Sequence, residues 1–168
     1  MIENIRSTYI ILSTRMKEKF NRHVSFGDLF TDRKETARAN GFGEGTTCYD
    51  NVLILGDVCV GENTWIGPNC VLDGSGGKLV IGDYCSISAG VQIYTHNTVR
   101  WANSLGCEPI DTDSTTIGSG VYVGPQTVIQ MGVNIGDRSV IGACSFVNQD
   151  LPANSRAWGC PATIQDNV

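Results

Sequence analysis

The sequence predicts an all-β solenoid built from six-residue repeats. A large aliphatic side chain recurs every six positions in three runs, which are Ile54, Val60, Ile66, Leu72; Ile81, Ile87, Ile93; and Ile117, Val123, Ile129, Ile135, Ile141, Val147. A small or β-branched residue lies four positions after most of them, and glycine often follows them directly. One such unit cannot bury its own apolar side chain, so successive units must stack on one another.

The C-terminal part of the repeat carries a longer signature. It runs from Ile135 through Gly-Asp-Arg-Ser-Val-Ile-Gly-Ala-Cys-Ser-Phe-Val-Asn-Gln-Asp-Leu to Pro152, and Trp158-Gly-Cys-Pro-Ala162 follows. This signature resembles that of the hexapeptide-repeat acyltransferases, and the likeness covers residues 42–162. The chain is similar to galactoside and maltose acetyltransferases and to bacterial lipopolysaccharide and capsule sugar O-acetyltransferases. The resemblance implies a left-handed parallel β-helix with three repeats per triangular coil, assembled as a homotrimer.

Three repeats per coil sort the repeat positions into three columns. Column one holds Phe42, Val60, Ile81, Ile117, Ile135; column two holds Cys48, Ile66, Ile87, Val123, Ile141; column three holds Ile54, Leu72, Ile93, Ile129, Val147. The spacing from Leu72 to Ile81 is nine rather than six, and the spacing from Ile93 to Ile117 is twenty-four. Both insertions therefore follow column three. Solenoids tend to carry insertions on the binding side, so we expect loops 73–80 and 94–116 to share one edge, the active edge.

The first part of the chain has a different pattern. Within residues 3–20 the apolar side chains fall on one helical face, namely Ile5, Tyr9, Leu12, Met16 and Phe20. This spacing predicts an α-helix that packs against the β-helix or a neighbouring subunit, with a membrane-surface helix as the alternative. Residues 21–41 are polar and predicted to be irregular. The expected domains are residues 1–41, a helix and connecting segment, and residues 42–168, the β-helix acyltransferase domain with one long active-site loop at 94–116.

His96 is the candidate general base. It stands at the start of the long loop, three residues past Ile93, where the galactoside and maltose enzymes carry their catalytic histidine. A sugar hydroxyl is a poor nucleophile at neutral pH, so its proton must leave as its oxygen attacks the thioester. Imidazole titrates close to the working pH, and positioned base catalysis typically contributes about 10²–10⁴-fold. The resemblance implies direct transfer of the acetyl group without an acyl-enzyme.

Three further residues are candidates for binding the acceptor. Asp73 lies one coil before Tyr94 in column three, so we expect it near the base of the His96 loop. It is predicted either to bind acceptor hydroxyls or to orient the imidazole, although Asp73-Gly-Ser-Gly-Gly also reads as a simple turn. Tyr94 and Trp101 are expected to offer an aromatic face to a sugar ring, although packing of Trp101 on another subunit would equally explain it.

The acetyl-CoA site is assigned by resemblance. In the family, coenzyme A lies in a groove between two adjacent β-helices, toward their C-terminal coils. The matching positions in this sequence are Tyr122, Gly124, Ala143, Asn148, Gln149 and Trp158. Relatives often carry lysine at the position of Gln149, where it pairs with a coenzyme phosphate, so Arg138 or Arg156 is the candidate replacement.

Composition excludes several other functions. The net charge is −5 and no long Lys/Arg run occurs, which argues against nucleic acid or an anionic membrane as main partner. No apolar stretch approaches the roughly 18 residues of a membrane span, and no stable membrane insertion is expected. The seven cysteines form no CxxC pair, so we expect no metal, and most of them read as small apolar side chains of the repeat. This pattern predicts a reducing compartment and a cytoplasmic enzyme.

The predicted activity is therefore acetyl transfer from acetyl-CoA to a hydroxyl of a sugar or glycan precursor, a small-molecule acceptor. Two alternatives remain open from the sequence, an amino-sugar N-acetyltransferase and a non-catalytic β-helix used for assembly. A γ-type carbonic anhydrase requires three histidines around zinc. The sequence has only His23 and His96, which excludes it.

Overall fold

A computed structural model describes residues 2–167. Its helices are α1 (Ile2–Phe20), a 3-10 helix (Gly27–Leu29), α2 (Arg33–Ala39) and α3 (Val99–Asn103). The strands are mostly two residues long, and they are β1 (Thr47–Cys48), β2 (Leu53–Val60), β3 (Trp65–Ile66), β4 (Val71–Ile81), β5 (Ser86–Ile87), β6 (Gln92–Ile93), β7 (His96–Asn97), β8 (Asp111–Thr112), β9 (Thr115–Ile117), β10 (Tyr122–Val123), β11 (Val128–Ile129), β12 (Asn134–Ile135), β13 (Val140–Ile141), β14 (Phe146–Val147), β15 (Ser155–Gly159) and β16 (Ala162–Asn167).

The strands wind into a three-sided parallel β-helix whose columns match those read from the sequence. In column two, Ile66 pairs with Ile87, Ile87 with Val123, and Val123 with Ile141. The same stacking runs along column three from Ile54 to Val147 and along column one from Val60 to Ile135. Most of these side chains are fully buried and together form the core. The predicted solenoid of hexapeptide repeats with an N-terminal helix and one long loop is confirmed.

Successive coils approach so closely that glycine is required at the turns. A Cβ placed on Gly124 would lie 2.5 Å from the backbone nitrogen of Ala143 in the next coil. The close approach allows the amide of Gly124 to donate a hydrogen bond to the Ile141 carbonyl of the next coil, 2.9 Å away. The recurrent glycine after the aliphatic residue thus reflects the distance between coils. Gly124, like the equivalent glycines of columns one and two, does not have a positive φ, so backbone freedom is not the reason for its presence.

The edge after column three differs from the other two edges. Strands β2 and β4 run on from column three into column one, and their pairing shifts register between Gly56, opposite Gly74, and Val58, opposite Leu79. Residues 75–78 form the resulting bulge. The prediction of a loop at 73–80 was therefore wrong in form, because pairing with β2 before and after the bulge, and with β9 after it, keeps both ends of this segment in strand β4. The bulge and the 94–116 loop do share one edge, as expected, because Gly76 contacts Thr95 and Gly77 contacts Asp113.

The N-terminal segment is more ordered than the sequence suggested. Residues 21–41 contain the 3-10 helix and α2, so the prediction of an irregular segment was wrong. Helix α2 begins at a capping box, in which Asp32 accepts from the Lys34 and Glu35 amides and the Glu35 side chain accepts from the Asp32 amide. In α1, no described residue is buried. Its Tyr9 ring stacks on Phe26 with the ring centroids 6.0 Å apart.

The cysteines divide into two groups. Cys48, Cys70 and Cys85 are buried in the core, whereas the other four are exposed, namely Cys59, Cys107, Cys144 and Cys160. The interpretation of most cysteines as core residues was therefore wrong, because hexapeptide spacing places the exposed four in turns, loops or outward strand positions. Within residues 2–167, no three His, Cys, Asp or Glu side chains are arranged to hold a metal ion. None of the helices described is both long and apolar enough to cross a membrane.

Candidate active site

His96 and Asp73 form a direct pair on the edge after column three. The Nδ1 atom of His96 lies 2.8 Å from Oδ2 of Asp73. The Asp73 side chain is 1% exposed, whereas the imidazole remains 30% exposed. Of the two roles predicted for Asp73, this geometry favours orientation of the imidazole.

Asp73 also accepts two hydrogen bonds from Ser75. The amide of Ser75 donates to Oδ1 at 2.9 Å and its hydroxyl donates to the same oxygen at 2.5 Å. The carboxylate thus has polar partners at both oxygens although it is buried, as a buried charge requires. The amide contact forms an Asx turn, whereas the sequence predicted only a simple turn at Asp73-Gly-Ser-Gly-Gly. The hydroxyl contact was not predicted, because it depends on the bulge.

The pairing determines which ring nitrogen of His96 carries the proton. Two acceptors face Nδ1, because Oδ2 of Asp73 lies at 2.8 Å and the Ser75 oxygen lies at 3.3 Å while its own proton is directed to Asp73. A protonated Nδ1 donates to them, and the neutral ring then bears its lone pair on Nε2. The site therefore holds an imidazole with Nε2 available to take a proton.

The backbone around His96 is held by several hydrogen bonds. Thr95 is fully buried, and its hydroxyl donates to the Asp73 carbonyl at 2.8 Å. Strand β7 pairs antiparallel with β8, so that His96 lies opposite Thr112. Arg100 of α3 donates to Glu108 at 2.8 Å and to Asp111 at 3.0 Å, which ties α3 to the returning part of the loop.

The two predicted aromatic residues occupy different surroundings. Tyr94 is half-buried at the base of the loop, and its hydroxyl donates to Oε1 of Gln92 at 2.7 Å. Trp101 belongs to α3 and is 51% exposed. Both residues lie on the polypeptide that carries His96, one before it and one after it.

The residues assigned to acetyl-CoA lie in two places. Gly124 and Ala143 follow column two and lie against each other across successive coils. Trp158 lies in the next coil beside them, since a Cβ placed on Gly142 would be 2.6 Å from the Cβ of Trp158. Tyr122 is exposed on the face that leads to this edge. By contrast, Asn148 and Gln149 follow Val147 of column three, on the His96 edge. The Gln149 amide donates to the Ala162 carbonyl at 3.3 Å.

The two arginines considered as phosphate contacts also differ in their surroundings. Arg138 donates through Nε to Asn154 Oδ1 at 2.8 Å. Arg156 is exposed, and it stands two strands from Tyr122 on the same face, because Val140 pairs with both residues.

A cavity of about 580 Å³ lies at the N-terminal end of the molecule. Met16 and Phe20 of α1 line it, together with Tyr49 and Trp65 of the first coils. It contains no residue of the His96 loop, so it is separate from the site described above.

The repeats, the three-sided coils and the histidine–carboxylate pair on one edge define the chain as a hexapeptide-repeat β-helix protein. Comparison with known families agrees. The bacterial transferase hexapeptide family (six repeats) matches residues 114–149, and the hexapeptide repeat of succinyl-transferase matches residues 57–95. The chain therefore carries the hexapeptide repeats that these two models describe, and it has the left-handed β-helix fold of hexapeptide-repeat acetyltransferases.

Several individual relatives are acetyltransferases. Galactoside O-acetyltransferase of Escherichia coli (strain K12) is 34% identical over 116 residues, which make up 68% of this chain and 47% of that enzyme. The chain thus spans about half the length of this relative. A hexapeptide-repeat acetyltransferase of Vibrio cholerae O1 biovar eltor, solved with acetyl coenzyme A, superimposes with a TM-score of 0.71 at 27% identity, over 99% of this chain and 88% of that one. Galactoside acetyltransferase in complex with coenzyme A gives a TM-score of 0.69 at 26% identity, over 98% and 82%.

Proposed function

We propose that this chain is an acetyl-CoA-dependent O-acetyltransferase that acts on a hydroxyl of a sugar or glycan precursor, with His96 as general base. The observation that carries the proposal is the pairing of His96 Nδ1 with the buried Asp73, which leaves Nε2 free on a part-exposed ring. A base of this kind is what a hydroxyl nucleophile requires. The relatives that are galactoside acetyltransferases support both the donor and the acceptor class.

The proposed reaction is a direct transfer. Nε2 takes the proton of the acceptor hydroxyl while the hydroxyl oxygen forms a bond to the thioester carbonyl carbon. The resulting tetrahedral intermediate collapses, the carbon–sulfur bond breaks, and the imidazolium returns its proton to the departing coenzyme A sulfur. Throughout, the Asp73 carboxylate stabilises the positive charge that develops on the ring and keeps it in one orientation.

The acceptor is proposed to bind beside the His96 loop. Tyr94 and Trp101 flank His96 along the chain, and an exposed indole is suited to pack against the apolar face of a sugar ring. Because both Asp73 oxygens are engaged by Ser75 and His96, we assign Asp73 to the imidazole and not to the acceptor. Lipopolysaccharide and capsule precursors are the proposed acceptors, since their acetyltransferases resemble this sequence around Tyr94-Thr-His96.

The working unit is proposed to be a homotrimer with the site between subunits. On the face of column three, the outward side chains of successive coils form one aligned row, Leu53, Val71, Gln92, Val128 and Phe146. Four of these five residues are apolar, and the row runs alongside the edge that carries His96. An apolar row of this kind favours burial against another subunit. The residues assigned to acetyl-CoA at two different edges suit a groove formed by two chains, with Gly124, Ala143 and Trp158 from one and the His96 edge from the other.

The test is an acceptor screen with acetyl-CoA, followed by substitution of the base. Free sugars, nucleotide sugars, amino sugars and antibiotics are offered, and loss of the thioester absorbance is measured. His96→Ala is expected to lower kcat by about 10²–10⁴-fold, whereas His23→Ala, the matched control, retains wild-type turnover. Undiminished turnover in His96→Ala would remove His96 from the mechanism. Acetylation confined to amines would indicate the N-acetyltransferase, and no thioester loss with any acceptor would indicate the assembly protein.

A further inference from the structure

The bulge at residues 75–78 is placed directly beneath the His96 loop. It exists because four residues of β4 lie opposite the single residue Asp57 of β2, which is three more than regular pairing needs, and the strands regain pairing at Leu79. At its start, the amide of Gly76 donates to the Thr95 hydroxyl at 3.1 Å, and at its end the amide of Lys78 donates to the Ser114 hydroxyl at 3.1 Å. The bulge therefore binds both stems of the loop, one on each side.

The fit between the bulge and the first stem is tight. A Cβ on Gly76 would overlap the Thr95 carbonyl oxygen and lie 2.5 Å from the His96 Cβ. The absence of a side chain at Gly76 thus allows the His96 backbone to rest on the bulge. The neighbouring Ser75 is then the residue of the bulge whose side chain reaches the pair itself.

We propose that Ser75 is a positioning residue, which holds the Asp73 carboxylate and the His96 ring in the arrangement that keeps the proton on Nδ1. The proposal rests on the proposed acetyl transfer for its kinetic consequence, although the orientation of the ring can be measured without it. The Ser75 hydroxyl lies 2.5 Å from Asp73 Oδ1 and 3.3 Å from His96 Nδ1, so one side chain touches both partners.

The hydroxyl acts on the pair by orienting the carboxylate. By donating to Oδ1, it fixes the plane of the carboxylate, so that Oδ2 points at Nδ1. Without the hydroxyl, the carboxylate keeps only the Ser75 amide and the ring as partners, and it is free to rotate. The imidazole then populates both tautomers, because the acceptor that keeps the proton on Nδ1 is no longer held in place.

The direct test is nitrogen NMR of the chain with labelled histidine. The sequence contains two histidines, so His23 is an internal control. In the wild-type chain, the ring nitrogens of His96 are expected to show the form protonated at Nδ1. In Ser75→Ala, they are expected to move toward a mixture of tautomers, whereas Ser75→Thr, which keeps a hydroxyl, restores the wild-type pattern. An unchanged His96 spectrum in Ser75→Ala would overturn the proposal.

Kinetics supply the second readout. Ser75→Ala is expected to lower kcat by about tenfold, the lower end of the loss expected for one hydrogen bond to a charged group, with the KM for acetyl-CoA unchanged. Ser75→Thr is expected to recover the turnover. The matched control is Ser119→Ala, which removes a hydroxyl that accepts from the Asp83 amide at 3.1 Å on a different edge, and it leaves kcat unchanged.

The outcomes separate this proposal from the proposed function. If the wild-type chain transfers acetyl to no acceptor while Ser75→Ala still alters the His96 spectrum, the function fails and the positioning role stands. If kcat falls equally in Ser75→Ala, Ser75→Thr and Ser119→Ala, the hydroxyl is merely structural and the positioning role is overturned.

Discussion

Asp73→Asn changes one oxygen of the buried carboxylate into an amide nitrogen while keeping its shape. The Ser75 amide and hydroxyl both donate to Oδ1, so the asparagine oxygen must remain at that position. Its amide group then faces His96 Nδ1 from the position of Oδ2, 2.8 Å away in the wild-type chain. Two donors cannot share this contact, so the ring is forced to carry its proton on Nε2, where it no longer acts as a base.

The structure gives the size of the expected effect. A hydrogen bond to a charged group contributes about 1.5–3 kcal/mol, which corresponds to a roughly 10- to 150-fold change in rate. The inverted tautomer adds to this loss, and the same carboxylate-to-amide change in a serine-protease triad lowers kcat by about 10⁴. We therefore expect kcat to fall by between about 10² and 10⁴ in Asp73→Asn, with little change in the KM for acetyl-CoA.

The assay is thioester consumption with the best acceptor from the screen. Asp137→Asn is the matched control, because Asp137 also accepts from a backbone amide, that of Ser119 at 2.8 Å, on another edge. Equal melting temperatures for the two variants would show that Asp73→Asn acts on catalysis and not on folding. Wild-type kcat in a folded Asp73→Asn chain would refute the role of the carboxylate.

The remaining predictions concern the core, the thiols, the bulge and the assembly. Ile87→Ala removes a fully buried side chain and is expected to lower the free energy of unfolding by about 2–5 kcal/mol, measured by urea denaturation; a loss below about 1 kcal/mol would contradict the stacked core. Burial raises the pKa of the Cys48 thiol to about 12, so at about pH 8 iodoacetamide should leave it unlabelled until the chain unfolds, as mass spectrometry can check; labelling of the folded chain there would contradict this environment. Gly76→Ala displaces the His96 backbone and should lower kcat at temperatures where its melting curve shows the variant to be folded; wild-type kcat in the folded variant would contradict the role of the bulge in supporting His96. Phe146→Asp places a charge in the outward row of column three and should give monomers in light scattering; a stable trimer would show that the interface lies elsewhere.

The columns of the core were predictable because burial enforces a strict period. An aliphatic residue out of step with the six-residue period would expose its side chain or force a polar side chain inward. The period is kept even across the long loop, because Ile87 still pairs with Val123 in the next coil. Counting coils also placed Asp73 near the His96 loop. The six-residue repeat sets the distance between successive coils, and Leu72 pairs with Ile93 of the next coil. Asp73 and the loop that follows Ile93 are therefore close enough for contact.

The features that were missed depend on hydrogen bonds between distant parts of the backbone. The insertion after Leu72 read as a turn because this segment is rich in glycine. Pairing of β4 with β2 on both sides of the insertion, and with β9 after it, instead makes the insertion a bulge within a strand. The role of Ser75 appears only once this register is known. Helix α2 was different, because its signal was present in the sequence as Asp32-Arg-Lys-Glu35, a capping box at the start of a short polar helix.

The central claim is that the coils hold His96 as the base that activates an acceptor hydroxyl. Its most direct test is a crystal structure of the chain with coenzyme A and the acceptor identified by the screen. The account predicts the acceptor hydroxyl oxygen within about 2.6–3.2 Å of His96 Nε2, with the coenzyme sulfur on the far side of that oxygen. An acceptor bound out of reach of Nε2, or a coenzyme bound away from the His96 edge of every subunit, would contradict it.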